Sequence, residues 1–144
     1  MNESINTLLL GRKFKNLLKQ HFEPIRKKYD VKQAEIEVLG FLATNPNATS
    51  TEVYQQLNLN KGHVSQSTIH LQDLSLIELH VNPKDKRSAT YTLTDKGHEA
   101  YKDIMDLHSS LVEKLKSNLS EKELKTFLKL STKILNNIDR MLEP

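Results

Sequence analysis

The sequence of 144 residues contains no cysteine and no tryptophan, and only four glycines and four prolines. The absence of cysteine excludes a disulfide scaffold, a thiol redox switch and a cysteine-ligated metal site. Few Gly and Pro argue against a disordered or low-complexity chain. No apolar run exceeds three residues, as in Leu8–Leu10, which is too short to cross a membrane. The N-terminus lacks the pattern of a secretory signal, so we expect a cytoplasmic protein.

The net charge is small and unevenly spread. It amounts to +3 with a pI near 9.0, which permits a polyanionic partner without demanding one. Residues 1–32 hold eight Lys or Arg against three Asp or Glu, whereas residues 49–97 hold five of each. The basic excess therefore lies in the N-terminal segment. Any nucleic-acid binding by the middle of the chain depends on the placement of single residues.

Apolar spacings of three and four residues predict a mainly helical chain. A first helix over residues 4–28 should kink or end near Pro24. Asp30 is the expected N-cap of a helix over residues 32–44. The remaining predicted helices are a short one over residues 51–57 capped by Thr49 or Ser50, one over residues 61–74 capped by Asn60, a long one capped by Thr94, and one that begins with the capping box at Ser120.

Residues 76–97 predict a β-hairpin that leads into a helix. His80-Val81 and residues 89–93 favour strands, and the charged residues 82–88 between them favour a loop. Pro83 cannot occupy a central ladder position, so the loop should turn there. The hairpin tip then carries Lys84, Lys86 and Arg87 into solvent. A basic hairpin after two short helices is the outline of a winged helix, which indicates DNA binding.

The helix over residues 61–74 is the candidate recognition helix, because it presents short polar side chains to a groove. Gln66 suits paired hydrogen bonds to adenine, and Lys61 suits a phosphate or guanine. Thr49, Ser50 and Thr51 lie at a helix N-terminus, where free N–H groups suit a phosphate. A solvated helix face or cap is the alternative for each residue alone. The candidate set in the helix is Lys61, His63, Ser65, Gln66, Ser67 and His70.

In the hairpin, Asp85 and Arg87 are two residues apart and can lie on one side. The carboxylate would then orient the guanidinium for insertion into a minor groove. The alternative is a surface ion pair of little consequence. The motif Asp-x-Arg-x-x-x-x-x-Leu-Thr-x-x-Gly, which ends with Leu93, Thr94 and Gly97, resembles the signature of the MarR family of transcriptional regulators.

This resemblance implies a mainly α fold with a small β-hairpin wing, in which a winged helix-turn-helix is flanked by N- and C-terminal dimerisation helices. The winged-helix lobe would comprise residues 31–97, and the dimerisation lobe residues 1–30 and 98–144. The resemblance further implies a homodimer that represses transcription from a pseudo-palindromic operator of double-stranded DNA, with Arg87 in the minor groove and the recognition helix in the major groove. It implies release by a small ligand, a metal or oxidation.

Three positions depart from the family pattern. Ser75 stands where Gly is frequent, Gln66 where Arg or Lys is frequent, and Leu79 where Arg is common. Because the chain has no cysteine, release through a thiol is excluded. We therefore expect a small-molecule effector, whose pocket would be lined by Phe14, Leu18, Phe22, Phe41, Met105 and His108; the alternative is plain core packing.

The sequence contains no sign of a catalytic site. The four glycines are too dispersed to cradle a phosphate, and no nucleophile with a base stands out. We therefore expect that the protein is not an enzyme. No two of the six histidines have the close spacing of a helical metal site, so we expect no metal and no cofactor; the alternative is a zinc site that includes His98, Glu99 and His108. The rival interpretation is a helical dimerisation or protein-interaction module whose winged helix no longer binds DNA. The even charge of residues 49–97 favours that rival, and the Asp85–Arg87 wing favours the regulator.

Overall fold

The computed structural model describes residues 3–144, apart from the side chains of residues 3–5 and 86. The chain forms two compact units, one that ends at His108 and one over Ser109–Pro144. Within the described residues, no helix is both long enough and apolar enough to cross a membrane. The elements in chain order are α1 (Glu3–His21), α2 (Glu23–Tyr29), α3 (Gln33–Thr44), β1 (Ala48–Thr49), α4 (Ser50–Gln56), α5 (Lys61–Asp73), β2 (Ile77–Asn82), β3 (Asp85–Leu93), α6 (Asp95–Leu115) and α7 (Glu121–Leu142).

The predicted first helix ends earlier than Pro24. The chain breaks at Phe22, and Pro24 lies in the first turn of α2, where its missing N–H costs nothing. Asp30 was expected to cap the next helix, and this was wrong. It ends α2 in the left-handed conformation, with φ of 56°, which Asp tolerates better than most residues. The residue before α3 is Lys32, whose backbone N–H donates to Glu35 Oε2 at 2.8 Å.

Four predicted N-caps are confirmed, one of them Thr94, whose Oγ1 accepts from the Gly97 N–H at 3.0 Å at the start of α6. Thr49 Oγ1 accepts from the Glu52 N–H at 3.2 Å, so Thr49 rather than Ser50 caps α4. Asn60 Oδ1 accepts from the His63 N–H at 2.7 Å at the start of α5. Ser120 and Glu123 form the capping box of α7. Each cap satisfies a backbone donor that the helix itself leaves unpaired.

The sheet has the strand order β1-β3-β2, and both pairings are antiparallel. Ala48 pairs with Tyr91, which adds a short strand that the sequence pattern did not reveal. The predicted loop over residues 82–88 was too long, because β2 extends to Asn82 and β3 begins at Asp85. The turn is tightened by the Lys84 N–H, which donates to Asn82 Oδ1 at 2.9 Å. The paired part of the hairpin is therefore longer than the sequence suggests.

The core of the first unit surrounds α3. Val38 and Leu39 are fully buried there, and α4 and α5 add Val53, Val64 and Leu71. Burial of each such side chain contributes about 1.5–3 kcal/mol to folding. The residues of this core fix where α5 lies relative to the sheet. The sheet and its flanks contribute Ala48, Leu76, Ile77, Tyr91, Leu93, Ala100 and Ile104, and α2 with its neighbours contributes Phe22, Ile25, Tyr29 and Val31.

The Leu-Thr-x-x-Gly motif joins the end of α5 to the start of α6. Ser75 has a left-handed φ of 59°. Its N–H donates to the Gln72 carbonyl, and the Leu76 N–H donates to the Leu71 carbonyl, both at 2.9 Å. This is a Schellman motif, formed here with Ser instead of Gly. Thr94 Oγ1 donates to the Ser75 carbonyl at 2.6 Å and accepts from the Gly97 N–H at 3.0 Å.

Candidate nucleic-acid interface

Helix α5 has one buried face and one exposed face. Val64, Ser67, Thr68 and Leu71 pack inward. The predicted contact from Ser67 to DNA does not fit this arrangement, because that side chain is only 3% exposed. The exposed face displays Lys61, Gly62, His63, Ser65, Gln66, Ile69 and Asp73.

The start of the exposed face is held in place by two contacts. Asn60 caps α5, and its side chain accepts from the His63 N–H in the first turn. The Lys61 ammonium lies 5.7 Å from the centre of the Tyr54 ring on α4, close enough for a cation–π contact. Lys61 is exposed even so. The contact places a positive charge at the N-terminal end of the helix, where a groove admits it.

His70 contacts Glu35 instead of pointing fully outward. Its Nδ1 lies 2.8 Å from Glu35 Oε1. Glu35 is 3% exposed, and its other oxygen accepts from the Lys32 N–H. A buried carboxylate needs such partners. The pair therefore joins the start of α3 to α5, and the DNA contact predicted for His70 competes with this structural role. Lys32, Glu35, His63, Gln66, Ser67 and His70 line a small cavity of about 150 Å³.

The structure places a carboxylate at the predicted phosphate site of α4. The Thr49 N–H donates to Glu52 Oε2 at 2.8 Å. Ser50 Oγ donates to the Tyr91 hydroxyl at 3.2 Å, so Ser50 is tied to the sheet. Thr51 is exposed. A phosphate at this helix start would meet the charge of Glu52, and the three residues stay a prediction.

The wing contains the predicted Asp85–Arg87 contact. Asp85 Oδ1 accepts from the Arg87 N–H at 3.0 Å and from Arg87 Nε at 3.3 Å. The Arg87 side chain is 94% exposed, and a guanidinium has further N–H donors beyond Nε. Lys84 is exposed at the turn, whereas the Lys86 side chain lies outside the described part of the chain. The Asp85 carboxylate therefore fixes the Nε end of the Arg87 side chain, whose guanidinium remains exposed to solvent.

The predicted effector residues have different surroundings. Phe22 is buried in the core, and Phe41 lines an open cavity with Glu52 and Gln56. The other four range from partly buried to exposed: Phe14, Leu18, Met105 and His108. Among the side chains that the structure describes, no group of three or more His, Asp or Glu is arranged to hold a metal ion. The effector pocket stays a prediction.

Two residues of this region were not found from the sequence. Glu35 contacts His70 across 35 positions of the chain, and no local pattern carries such a pairing. Ile69 is 55% exposed on the same face as Gln66. An isoleucine is not expected among polar contact residues. Its position three residues after Gln66 nevertheless places it on the same side of the helix, and this spacing is visible in the sequence.

Comparison with known proteins agrees with this geometry. Residues 34–112 match the family model described as a winged helix DNA-binding domain. An HTH-type transcriptional regulator from Clostridioides difficile, BilQ, is 27% identical over 77% of this chain and 75% of its own. An uncharacterized HTH-type transcriptional regulator from Staphylococcus aureus is 26% identical over 83% of this chain and 81% of its own.

Solved structures share the fold. FabT from Streptococcus pneumoniae, crystallised in complex with DNA, superposes with a TM-score of 0.83 at 22% identity, covering 97% of this chain and 99% of its own. A MarR protein from Peptoclostridium difficile gives 0.86 at 20% identity, covering 94% and 89%.

A capped helix with an exposed polar face beside a basic hairpin defines a DNA-binding transcriptional regulator of the winged-helix class. The chain belongs to the winged helix DNA-binding domain family, and its fold is that of MarR-type regulators, which confirms the resemblance found in the sequence.

Proposed function

We propose that the protein is a transcriptional repressor that binds a pseudo-palindromic operator as a homodimer and is released by a small-molecule effector. The observation that carries the proposal is the exposed face of α5. It presents Lys61, Ser65 and Gln66 beside a wing whose Arg87 is held by Asp85. In this account α5 enters the major groove, and Arg87 enters the adjacent minor groove.

Helix α7 supports the homodimer. None of its residues is buried, yet its apolar side chains fall on one side of the helix, at spacings of three, four and seven positions. An apolar stripe of this length that faces water usually marks an interface. A second copy of the chain would cover it and would present two α5 helices to a two-fold operator. The stripe comprises Leu124, Phe127, Leu128, Ile134, Leu135, Ile138, Met141 and Leu142.

We assign DNA binding and dimerisation to the two predicted lobes. Residues 31–97 would bind DNA, and residues 1–30 and 98–144 would dimerise. Exposed Leu8, Leu10 and Phe14 on α1 support the N-terminal share in the interface. An effector would release the DNA if it favoured a spacing of the two α5 helices that does not match the operator. The protein would act in the cytoplasm, where such an operator lies.

A gel-shift titration with the DNA upstream of the protein's own gene tests the proposal. The matched control is a scrambled fragment of the same length and composition. We expect tighter binding to the upstream DNA, and a logarithm of the binding constant that falls linearly with the logarithm of salt concentration. Equal or absent binding to the two fragments would favour the rival interaction module and reject the repressor.

A further inference from the structure

The exposed face of α5 contains a large apolar side chain. Ile69 is 55% exposed and lies among polar and charged neighbours, and it was not among the residues predicted to touch DNA. A single exposed apolar residue is common on protein surfaces and needs no special role by itself. The position of Ile69 on the helix is what gives it significance.

Ile69 lies on the same stripe as the polar contact residues. It follows Ser65 by four positions and Gln66 by three, and residues at those spacings are neighbours on a helix surface. All three are exposed, whereas Ser67 and Thr68 between them are buried. At a rise of about 1.5 Å per residue, Ile69 lies roughly 4.5 Å further along the helix axis than Gln66. With α5 in the major groove, two side chains at this separation can reach neighbouring base pairs, which are about 3.4 Å apart.

The major groove offers an apolar partner to such a side chain. Base edges there carry hydrogen-bond donors and acceptors, and thymine adds its C5-methyl group. An isoleucine cannot satisfy the donors and acceptors, and burying them against it would cost free energy. Packing on a methyl group instead removes apolar surface from water on both sides.

We propose that Ile69 reads the C5-methyl group of a thymine next to the base pair that Gln66 contacts. The inference rests on the proposed function, because it requires α5 to lie in the major groove. It makes Ile69 a specificity-determining residue. It also constrains the operator, since each half-site must contain a thymine within one base pair of the position read by Gln66.

Replacement of single thymines by deoxyuridine tests the inference, because it removes the methyl group and leaves base pairing intact. A preferred operator is first selected from random DNA with the full-length protein, and each thymine is then replaced in turn. For the wild type we expect one position per half-site at which binding weakens about fourfold, the effect of one buried methyl group. Thymines elsewhere in the site serve as internal controls.

Ile69→Ala supplies the second arm. Because both protomers of the proposed dimer lose the contact, it should weaken binding to the thymine operator by about the square of that factor, roughly sixteenfold. It should show no further loss on the deoxyuridine operator, whereas Ile69→Val should retain part of the difference. An equal deoxyuridine effect in the wild type and in Ile69→Ala would overturn the inference. A wild type whose affinity does not change at any replaced thymine would also overturn the inference, and that result requires no variant. A protein that selects no preferred DNA would reject the proposed function together with the inference.

Discussion

Arg87 is the residue on which the wing assignment depends most. Its side chain is 94% exposed, and its one described partner, Asp85, is itself half exposed. Removal of the guanidinium therefore leaves the core untouched. We expect Arg87→Ala to weaken operator binding by about 1.5–3 kcal/mol per half-site, the usual contribution of a hydrogen bond to a charged group. Fluorescence anisotropy at fixed salt measures the affinity, and the melting temperature should not change.

Lys27→Ala is the matched control for the loss of one positive charge. Lys27 is exposed on α2 and pairs with Glu23 at 3.2 Å. If Lys27→Ala and Arg87→Ala weakened binding equally, Arg87 would contribute through bulk charge alone, and the minor-groove contact would be rejected.

Gly97 is required by close packing. A Cβ at this position would overlap the Leu76 carbonyl oxygen and would approach Leu93 Cβ to 3.2 Å. The start of α6 would have to shift away from the end of α5. We expect Gly97→Ala to lower the free energy of unfolding by about 1–3 kcal/mol, as overpacking usually does. Urea denaturation measures this effect.

Gly40 provides the opposite case within α3. Apart from its chain neighbours and the nearby backbone of α3 itself, nothing described lies within 4 Å of a Cβ built there. Gly40→Ala should therefore raise the free energy of unfolding by up to about 1 kcal/mol, the difference in helix propensity. Should Gly97→Ala prove as stabilising as Gly40→Ala, the packing role given to Gly97 would be wrong.

At the scale of the elements, local chemistry decided which boundaries were predictable. Thr49, Asn60 and Ser120 are caps because each pairs with an N–H three residues away, a pattern that is visible in the sequence. Asp30 carries the same side-chain chemistry but ends a helix instead, because its backbone adopts the left-handed conformation. The two-residue strand β1 exists only through its pairing with β3, so no local pattern could reveal it.

The candidate site was predictable to a similar extent. The Asp85–Arg87 contact follows from a two-residue spacing and was foreseen. The burial of Ser67 and the contact between His70 and Glu35 depend on how α5 packs on α3. Periodicity identifies an amphipathic helix, yet an error of one position moves a small polar residue from the exposed face to the buried one.

The attachment of α2 to α6 should depend on pH. Asp103 Oδ2 accepts from Lys28 Nζ at 2.7 Å and from the Tyr29 hydroxyl at 2.6 Å. These hydrogen bonds, Lys28 first and Tyr29 second, lower the pKa of Asp103 from its usual value of 3.8. A lowered pKa means that the carboxylate stabilises the folded state above the unfolded pKa, and that this stability is lost as the pH falls through the folded pKa.

We therefore expect Asp103→Asn to be less stable than the wild type at pH 7, and the difference to shrink as the pH falls below 3.8. Chemical denaturation at several pH values measures the difference. Asp106→Asn on the exposed surface of α6 is the control. A difference that stays constant down to the acid limit would show that the charge of Asp103 makes no contribution.

At the scale of the whole molecule, the proposed homodimer depends on the apolar stripe of α7. Leu135 is 59% exposed in a single chain, and the proposed dimer would bury it. We expect Leu135→Asp to give monomer or aggregate and to lose operator binding, because a charge without a partner in an apolar interface is costly. Analytical ultracentrifugation at micromolar concentration measures the state of assembly. Asn136→Asp adds the same charge to the polar face and should remain a dimer that binds DNA.

A Leu135→Asp protein that stayed dimeric and bound DNA normally would remove α7 from the interface. The predicted boundaries of the dimerisation lobe would then have to be revised. The proposed two-fold symmetry would also lose its basis, since nothing else in the unit over Ser109–Pro144 offers so continuous an apolar face.

Hydroxyl-radical footprinting of the wild type and of Arg87→Ala on the selected operator tests the central claim most directly. The account predicts two protected half-sites whose centres lie roughly 34–36 Å apart, one turn of DNA. It also predicts flanking minor-groove protection that disappears in Arg87→Ala while the protection around α5 persists. A single asymmetric footprint, or flanking protection that is unchanged in the variant, would contradict the claim that α5 and the wing of a two-fold dimer read this DNA.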